Sequence, residues 1–208
     1  MYQTLLGDSS FFSLLLRCDE DLAAQARAAG CACGGVLHSA RFPRKPRGGP
    51  ADLGQEHAKR LSFCCALEGC RQRVTPPSLR FLGRKVFFGV VVLLGPILME
   101  GPTPGRVRRL QDRFSVSERT LRRWRRWWRE SVARSRFFAA ARGGFARPVA
   151  GDALPGSLLT AFVTIAEPGE RVLAMLRWLG PLSLGSVDGE HDPCGSSATR
   201  RRCVSTVP

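Results

Sequence analysis

Asparagine is absent from the 208-residue chain, tyrosine occurs once, and only three of its 32 basic residues are lysine (Lys45, Lys59 and Lys85). Isoleucine is scarce, whereas Ala, Gly, Pro, Leu and Arg abound. That bias suggests a GC-rich genome, which inflates arginine without regard to function. The net charge of +15 is therefore less informative than where the charge sits.

A membrane-length apolar run is missing as well. The longest stretch, Val86 to Met99, is about half of a span and is interrupted by Pro96, so it is expected to be a buried helix. Residues 1–20 lack a basic n-region and a cleavage motif. A cytoplasmic, nucleoid-associated protein without a membrane partner is expected. A Ser/His/Asp arrangement, a phosphate-cradling glycine loop and a His-x-x-x-His pair are all missing, as is any internal repeat. The C-terminal acids Asp152, Glu167, Glu170, Asp188, Glu190 and Asp192 fall in expected loops or tail. No catalytic residues are expected.

What is present is localised charge. Residues 41–147 hold 25 basic and 7 acidic residues, whereas the remainder holds 7 and 10. Genome bias would spread arginine evenly. A basic middle between slightly acidic ends implies an electrostatic footprint for a polyanion.

The expected fold class is mainly α with a small β zinc-ribbon, carrying a three-helix, homeodomain-like helix-turn-helix and further C-terminal helices. Residues 1–30 form an N-terminal helix over 9–29, capped by Asp8, Ser9 or Ser10 and ended by Gly30. Asp19, Glu20 and Asp21 are expected on its exposed side. Residues 31–82 read as short strands joined by Pro/Gly-rich loops, with Pro76 and Pro77 excluding helix. Residues 83–133 read as three helices: 84–99, 104–113 started by Thr103 and Pro104, and one capped by Ser117. Residues 134–184 read as short helices broken at Gly143-Gly144, Pro155, Pro168 and Gly180. Residues 185–208 read as a disordered tail.

Five of the eight cysteines lie between residues 31 and 70. Two sit on a glycine-followed turn and three around a second turn. Facing thiolate turns are how small β domains hold tetrahedral zinc, and the metal then supplies folding free energy that a thin core lacks. Strict Cys-x2-Cys spacing is absent. Along "SFCC", Cys64 and Cys65 point to opposite faces. Cys31, Cys33, Cys65 and Cys70 are the expected Zn2+ ligands, with Cys64 or His38 as substitutes and buried free thiols as the plainer alternative. Cys18, Cys194 and Cys203 read as incidental, and His57 and His191 as solvent-exposed.

"CACGG" followed by "FCCALEGCRQRVTPPSLRF" resembles the N-terminal zinc ribbon of several bacterial insertion-sequence transposases. Phe63, Cys65, Cys70, Arg71, Thr75 and Phe81 occupy the corresponding places. The resemblance covers about residues 30–130, and the cysteine spacings depart from the family's pattern.

In "RFSVSERTLRRWRRWW", Leu121, Trp124 and Trp128 share one helix face, and Val107 and Leu110 share a face of the helix before it. Together with Phe114 and Val116 they predict a helix-turn-helix core. Arg119, Arg122, Arg123 and Arg126 then face outward. Arg119, Arg122 and Arg123 are placed to read base edges and Arg126 to brace the backbone. Ser117, Thr120 and the helix N-terminus are candidate phosphate donors, and Arg106, Arg108 and Arg109 candidate backbone contacts. The segment resembles homeodomain-like modules of transposases and recombinases, with Ser115 where that family usually has Gly.

The resemblance implies a double-stranded DNA partner and a role in a mobile element, as a truncated transposase or an accessory protein. A separate transposase or self-association is a candidate partner. Such transposases cut DNA with an Asp/Asp/Glu metal site on a sheet of well over a hundred residues. About 75 residues follow Ala133 here and read as helix and tail, so no enzyme is expected. A host transcriptional regulator and a zinc-stabilised protein-interaction module without nucleic acid are the alternatives.

Overall fold

A computed structural model describes residues 2–98 and 116–184. The protein is mainly α-helical with a small amount of β-structure. In chain order the elements are α1 (Tyr2–Leu5), α2 (Ser9–Ala29), β1 (Leu37–Ser39), β2 (Phe42–Pro43), β3 (Lys59–Arg60), β4 (Phe63–Cys65) and β5 (Arg73–Val74). They are followed by α3 (Gly89–Leu98), α4 (Glu118–Arg126), α5 (Arg136–Ala141), α6 (Gly156–Ala161) and α7 (Pro168–Trp178). The expected second helix with Arg106, Arg108 and Arg109, its companions Val107, Leu110, Phe114 and Ser115, and the expected tail 185–208 lie outside the described residues.

α2 begins where Asp8 accepts a hydrogen bond from the Ser10 amide at 2.9 Å and ends at Gly30, whose φ of 74° suits glycine. Phe12, Leu15, Asp19 and Ala23 recur at helical spacing and are all buried. Asp19 is thus not on the exposed side of α2. It stands in the helix's core stripe and is 1 % exposed. Its carboxylate accepts from the Leu79 amide at 2.6 Å, Ser78 Oγ at 2.5 Å and Arg80 Nε at 2.8 Å. Arg80 donates onward to the carbonyls of Glu56, His57 and Lys59. A buried ion pair thus ties the strand region to the helix.

His57 is also buried rather than exposed, at 4 %. It sits in a short 3-10 turn, Gln55–Ala58, whose carbonyls the Arg80 guanidinium gathers inward. Burial pushes its imidazole below the usual range, opposed in part by Glu56 at 3.6 Å.

The strands form two sheets. β1, β4 and β5 are antiparallel in the order β1-β4-β5, with Leu37 opposite Cys65 and Phe63 opposite Val74. β2 and β3 pair separately. A small cluster of Ala23, Cys31, Leu37, Leu61, Phe63 and Cys65 lies beneath them. The main core gathers apolar side chains from α2, from residues 79–94 and from residues 116–182.

α3 starts five residues later than the expected 84–99 helix. Residues 81–88 turn back at Gly83-Arg84, so that Phe88 bridges Phe81 while Phe87 bridges Arg47, and the helix starts only after these bridges. Pro96 stands inside α3 and has no N–H to give to the Val92 carbonyl four residues earlier. The Trp128 indole N–H donates to that same carbonyl at 3.0 Å. Trp128→Phe should therefore cost about 1–3 kcal/mol through the orphaned acceptor. In a Pro96→Ala background, where an amide can reach Val92, the cost should shrink. Urea denaturation of the four proteins reads this coupling, and additive effects would disprove the substitution of one donor for the other.

Candidate functional site: a four-cysteine centre and an arginine-faced helix

The first cysteine turn follows directly from the end of α2. The Gly34 amide donates to the Cys31 carbonyl at 2.8 Å, and the Cys31 amide to the Gly35 carbonyl at 3.2 Å. The second turn runs off β4. There the Cys70 amide donates to Leu67 at 3.1 Å and the Cys65 amide to Gln72 at 3.0 Å. The Ala66 amide, donating to the Val36 carbonyl at 2.8 Å, ties the two turns together.

This places the sulfurs of Cys31, Cys33, Cys65 and Cys70 within 4.8 Å of one another. Cys33 and Cys65 are 3.5 Å apart, and Cys31 and Cys70 are 3.8 Å apart. A tetrahedron with metal–sulfur bonds of about 2.3 Å has edges of roughly 3.8 Å, which these two separations approach. The four cysteines can hold a metal. Of the two substitutes, Cys64 lies on the other side of β4 with its Sγ 3.6 Å from the Arg71 carbonyl oxygen. His38 is exposed on β1, opposite Cys64.

The clustered thiols perturb one another's acidity in opposite directions. Cys33 accepts a hydrogen bond from the Gly35 amide and then from the neighbouring thiols, which lowers its pKa to about 7. The Leu67 amide favours the Cys65 thiolate, but burial and the three other sulfurs outweigh it and push Cys65 up to about 12. The Gln72 amide likewise favours the Cys70 thiolate and is outweighed by Cys33 and burial, so Cys70 is raised.

Gly35 is required sterically. A Cβ there would stand 2.6 Å from Cys65 Sγ and 3.3 Å from Cys33 Sγ. Gly35→Ala should therefore splay the sulfurs and weaken metal affinity roughly 10–100-fold, the range seen when a site's supporting contacts are removed. Competition against a chromogenic chelator measures it, and an unchanged affinity would remove Gly35 from the account.

The second constellation is α4. Ser117 caps it, its Oγ accepting from the Thr120 amide at 3.3 Å and lying 3.0 Å from Thr120 Oγ1. Leu121, Trp124 and Trp128 are 2 %, 1 % and 0 % exposed, and Val116 is buried before them. Phe87 meets Trp124 edge-on at 5.0 Å. Gly95 of α3 lets α4 approach closely, since a Cβ there would lie 3.0 Å from Leu121 and 3.3 Å from Trp124.

With that face buried, Arg119, Arg122, Arg123 and Arg126 are exposed and Arg125 is half-buried. Arg122 is paired with Glu118 at 2.5 Å, and Arg126 is 4.0 Å from Glu130. Arg119 and Arg123 make no ion pair among the described residues. After Arg126 the helix widens into a π segment, Trp127–Val132. There the consecutive Trp127 and Trp128 are both buried, their rings 4.8 Å apart. Lys85 Nζ lies 4.2 Å over the Trp127 ring, a contact the sequence alone left unassigned.

Among the described residues no helix is long and apolar enough to cross a membrane. No family model matches the chain, and neither does any curated protein or any solved structure.

Proposed function

We propose that this is a DNA-binding protein whose α4 reads duplex DNA and whose cysteine centre is a structural zinc site of ribbon type. The observation that carries the reading is the division of α4. One face is anchored by Leu121, Trp124 and Trp128, and the other presents four exposed arginines with Ser117 and Thr120 at its N-terminus. A rigidly anchored helix with a basic outer face is what major-groove entry requires. Arg119, Arg122 and Arg123 are the base-reading candidates and Arg126 braces the backbone; Arg119 and Arg123 make no ion pair among the described residues, whereas Arg122 and Arg126 must exchange their glutamates for DNA. Four thiolates without an open coordination position suit structural rather than catalytic zinc. The transposase-like resemblance supports a mobile-element setting, as a truncated transposase or accessory protein without its own catalytic site. Host regulation remains the alternative biological setting for the same DNA contact.

A gel shift with mixed-sequence duplex at about 50 and 200 mM salt tests this. Binding should fall steeply between them, as counterion release demands. Absence of binding at the lower salt would reject it.

A second reading, a zinc-stabilised protein-interaction module, is favoured by the Glu118–Arg122 and Arg126–Glu130 pairs and by exposed Val36 and Leu67 beside the cysteine turns. It predicts association without a salt slope.

A further inference from the structure

A second group of basic residues lies outside α4, and nothing in the helix-turn-helix reading assigns it. It is built from three separate pieces of chain. β2 and β3 pair so that Pro43 stands opposite Lys59, and the Arg44 amide continues the pairing by donating to Ala58 at 2.8 Å. The half-buried Arg44 guanidinium donates to the carbonyls of Gly83 at 2.9 Å and Lys85 at 3.1 Å. The Arg47 amide donates to Val86 at 2.9 Å, and the Phe88 amide returns to Arg47 at 3.1 Å. Residues 43–47, 59 and 83–88 are thus laced together at strand spacing, roughly 5 Å between neighbours.

From this lacing four basic side chains, Lys45, Arg47, Lys59 and Arg84, emerge exposed. None makes an ion pair among the described residues. The acids of the same chain segment have partners: Asp52 accepts from Ser9 Oγ at 2.7 Å, and Glu56 lies 3.6 Å from His57. Lys45 adopts a φ of 47°, where glycine would be unstrained, so its charge is carried at a conformational cost. The surface reaches α4 through Lys85, which lies over Trp127, the residue immediately after that helix.

α4 and the π segment that follows form one helical body, Glu118–Val132, and Lys85 over Trp127 joins the basic surface to its middle. A duplex seated on the outer face of α4 extends past that body on both sides, and basic residues flanking the helix meet its sugar–phosphate backbone there. We propose that Lys45, Arg47, Lys59 and Arg84 form a second, sequence-independent phosphate-binding surface that clamps the same duplex beside the groove occupied by α4. The partner is the DNA backbone; this rests on α4 binding duplex DNA. The strand region then takes part in binding instead of serving only as a metal-held scaffold.

The test compares the full-length zinc-loaded protein with a variant carrying Lys45→Gln, Arg47→Gln, Lys59→Gln and Arg84→Gln. A control variant loses equal charge at the exposed positions Arg17, Arg27, Arg136 and Arg147. Binding constants for one duplex are measured by fluorescence anisotropy across salt concentrations. The proposal expects the slope of log K against log salt to fall by about 3–4 in the first variant and by less than about 1 in the control. Relative preference among duplex sequences should be unchanged. The four single substitutions, each expected to lower the slope by about 0.9, serve if the combined variant misfolds. An unchanged slope in wild-type-like folded variants, or equal loss in the control, overturns the clamp while leaving α4 as the reader. No binding by the wild type at about 50 mM salt overturns both.

Discussion

Removing a bound metal, or replacing Cys65 with serine, should unfold the cysteine turns and the β1-β4-β5 sheet rather than merely empty a site. The reason is the poverty of the local core. Among the described residues the apolar cluster beneath the sheets holds only Ala23, Cys31, Leu37, Leu61, Phe63 and Cys65 as buried members, and two of those are proposed ligands. Strands of two or three residues cannot hold themselves together in water. Structural zinc typically contributes about 10–16 kcal/mol of binding free energy, which in such a domain is folding free energy. Purified under reducing conditions, the protein should carry about one equivalent of zinc. Chelation or Cys65→Ser should collapse the amide dispersion of the cysteine turns and the β1-β4-β5 sheet in a two-dimensional NMR spectrum. The main core, which contains neither metal ligands nor β4, should keep its own signals. Because ligand thiols must lose their protons, metal affinity should also weaken as the pH is lowered. A metal-free protein with an unchanged spectrum and melting temperature would contradict this.

Asp19→Ala should cost about 3–5 kcal/mol, more than most single substitutions in the apolar core. The Arg80 guanidinium, 0 % exposed, would keep its charge and lose its only carboxylate among the described residues. Ser78 Oγ and the Leu79 amide would lose their acceptor at the same time. The carbonyls of Glu56, His57 and Lys59 would then be gathered by a guanidinium no longer held in place. Asp19→Asn should fall between, since it keeps an acceptor but not the charge. Converting the pair together, as Asp19→Leu with Arg80→Met, should recover part of the loss, because it removes both desolvated charges. Urea denaturation decides the matter. A cost of less than about 1 kcal/mol for Asp19→Ala would mean that water reaches Arg80.

The cysteine centre was legible because its logic is local. A glycine-bounded turn, the alternation along Ser62-Phe63-Cys64-Cys65 and a second turn select Cys65 over Cys64 without knowledge of the rest of the chain. The capping of α2 and α4 and the buried stripe of α4 were legible for the same reason, since capping and helical periodicity act within one element. Asp19 was misread because charge was given more weight than position. The spacing of Phe12, Leu15, Asp19 and Ala23 carried the correct answer, but its partner, Arg80, is 61 residues away. His57 has no periodicity to betray it; it is buried by the carbonyls that Arg80 collects. The late start of α3 rests in part on the Arg47–Phe87 bridge, 40 residues apart, and the exchange of Pro96's missing amide for the Trp128 indole on a pairing across 36. No window of sequence contains them. The basic surface around Lys45, Arg47, Lys59 and Arg84 was invisible for the same reason, since its members come from three pieces of chain.

The central claim is that α4 reads sequence. The most direct measurement is selection of bound duplexes from a random pool, with the wild-type protein and with Arg119→Ala and Arg123→Ala in parallel. The account predicts an enriched motif for the wild type. Each substitution should relax one or two of its positions, with a discrimination loss of about 1–3 kcal/mol per base contact. A wild-type pool that stays random, or variants that lose affinity equally for every sequence, would contradict it.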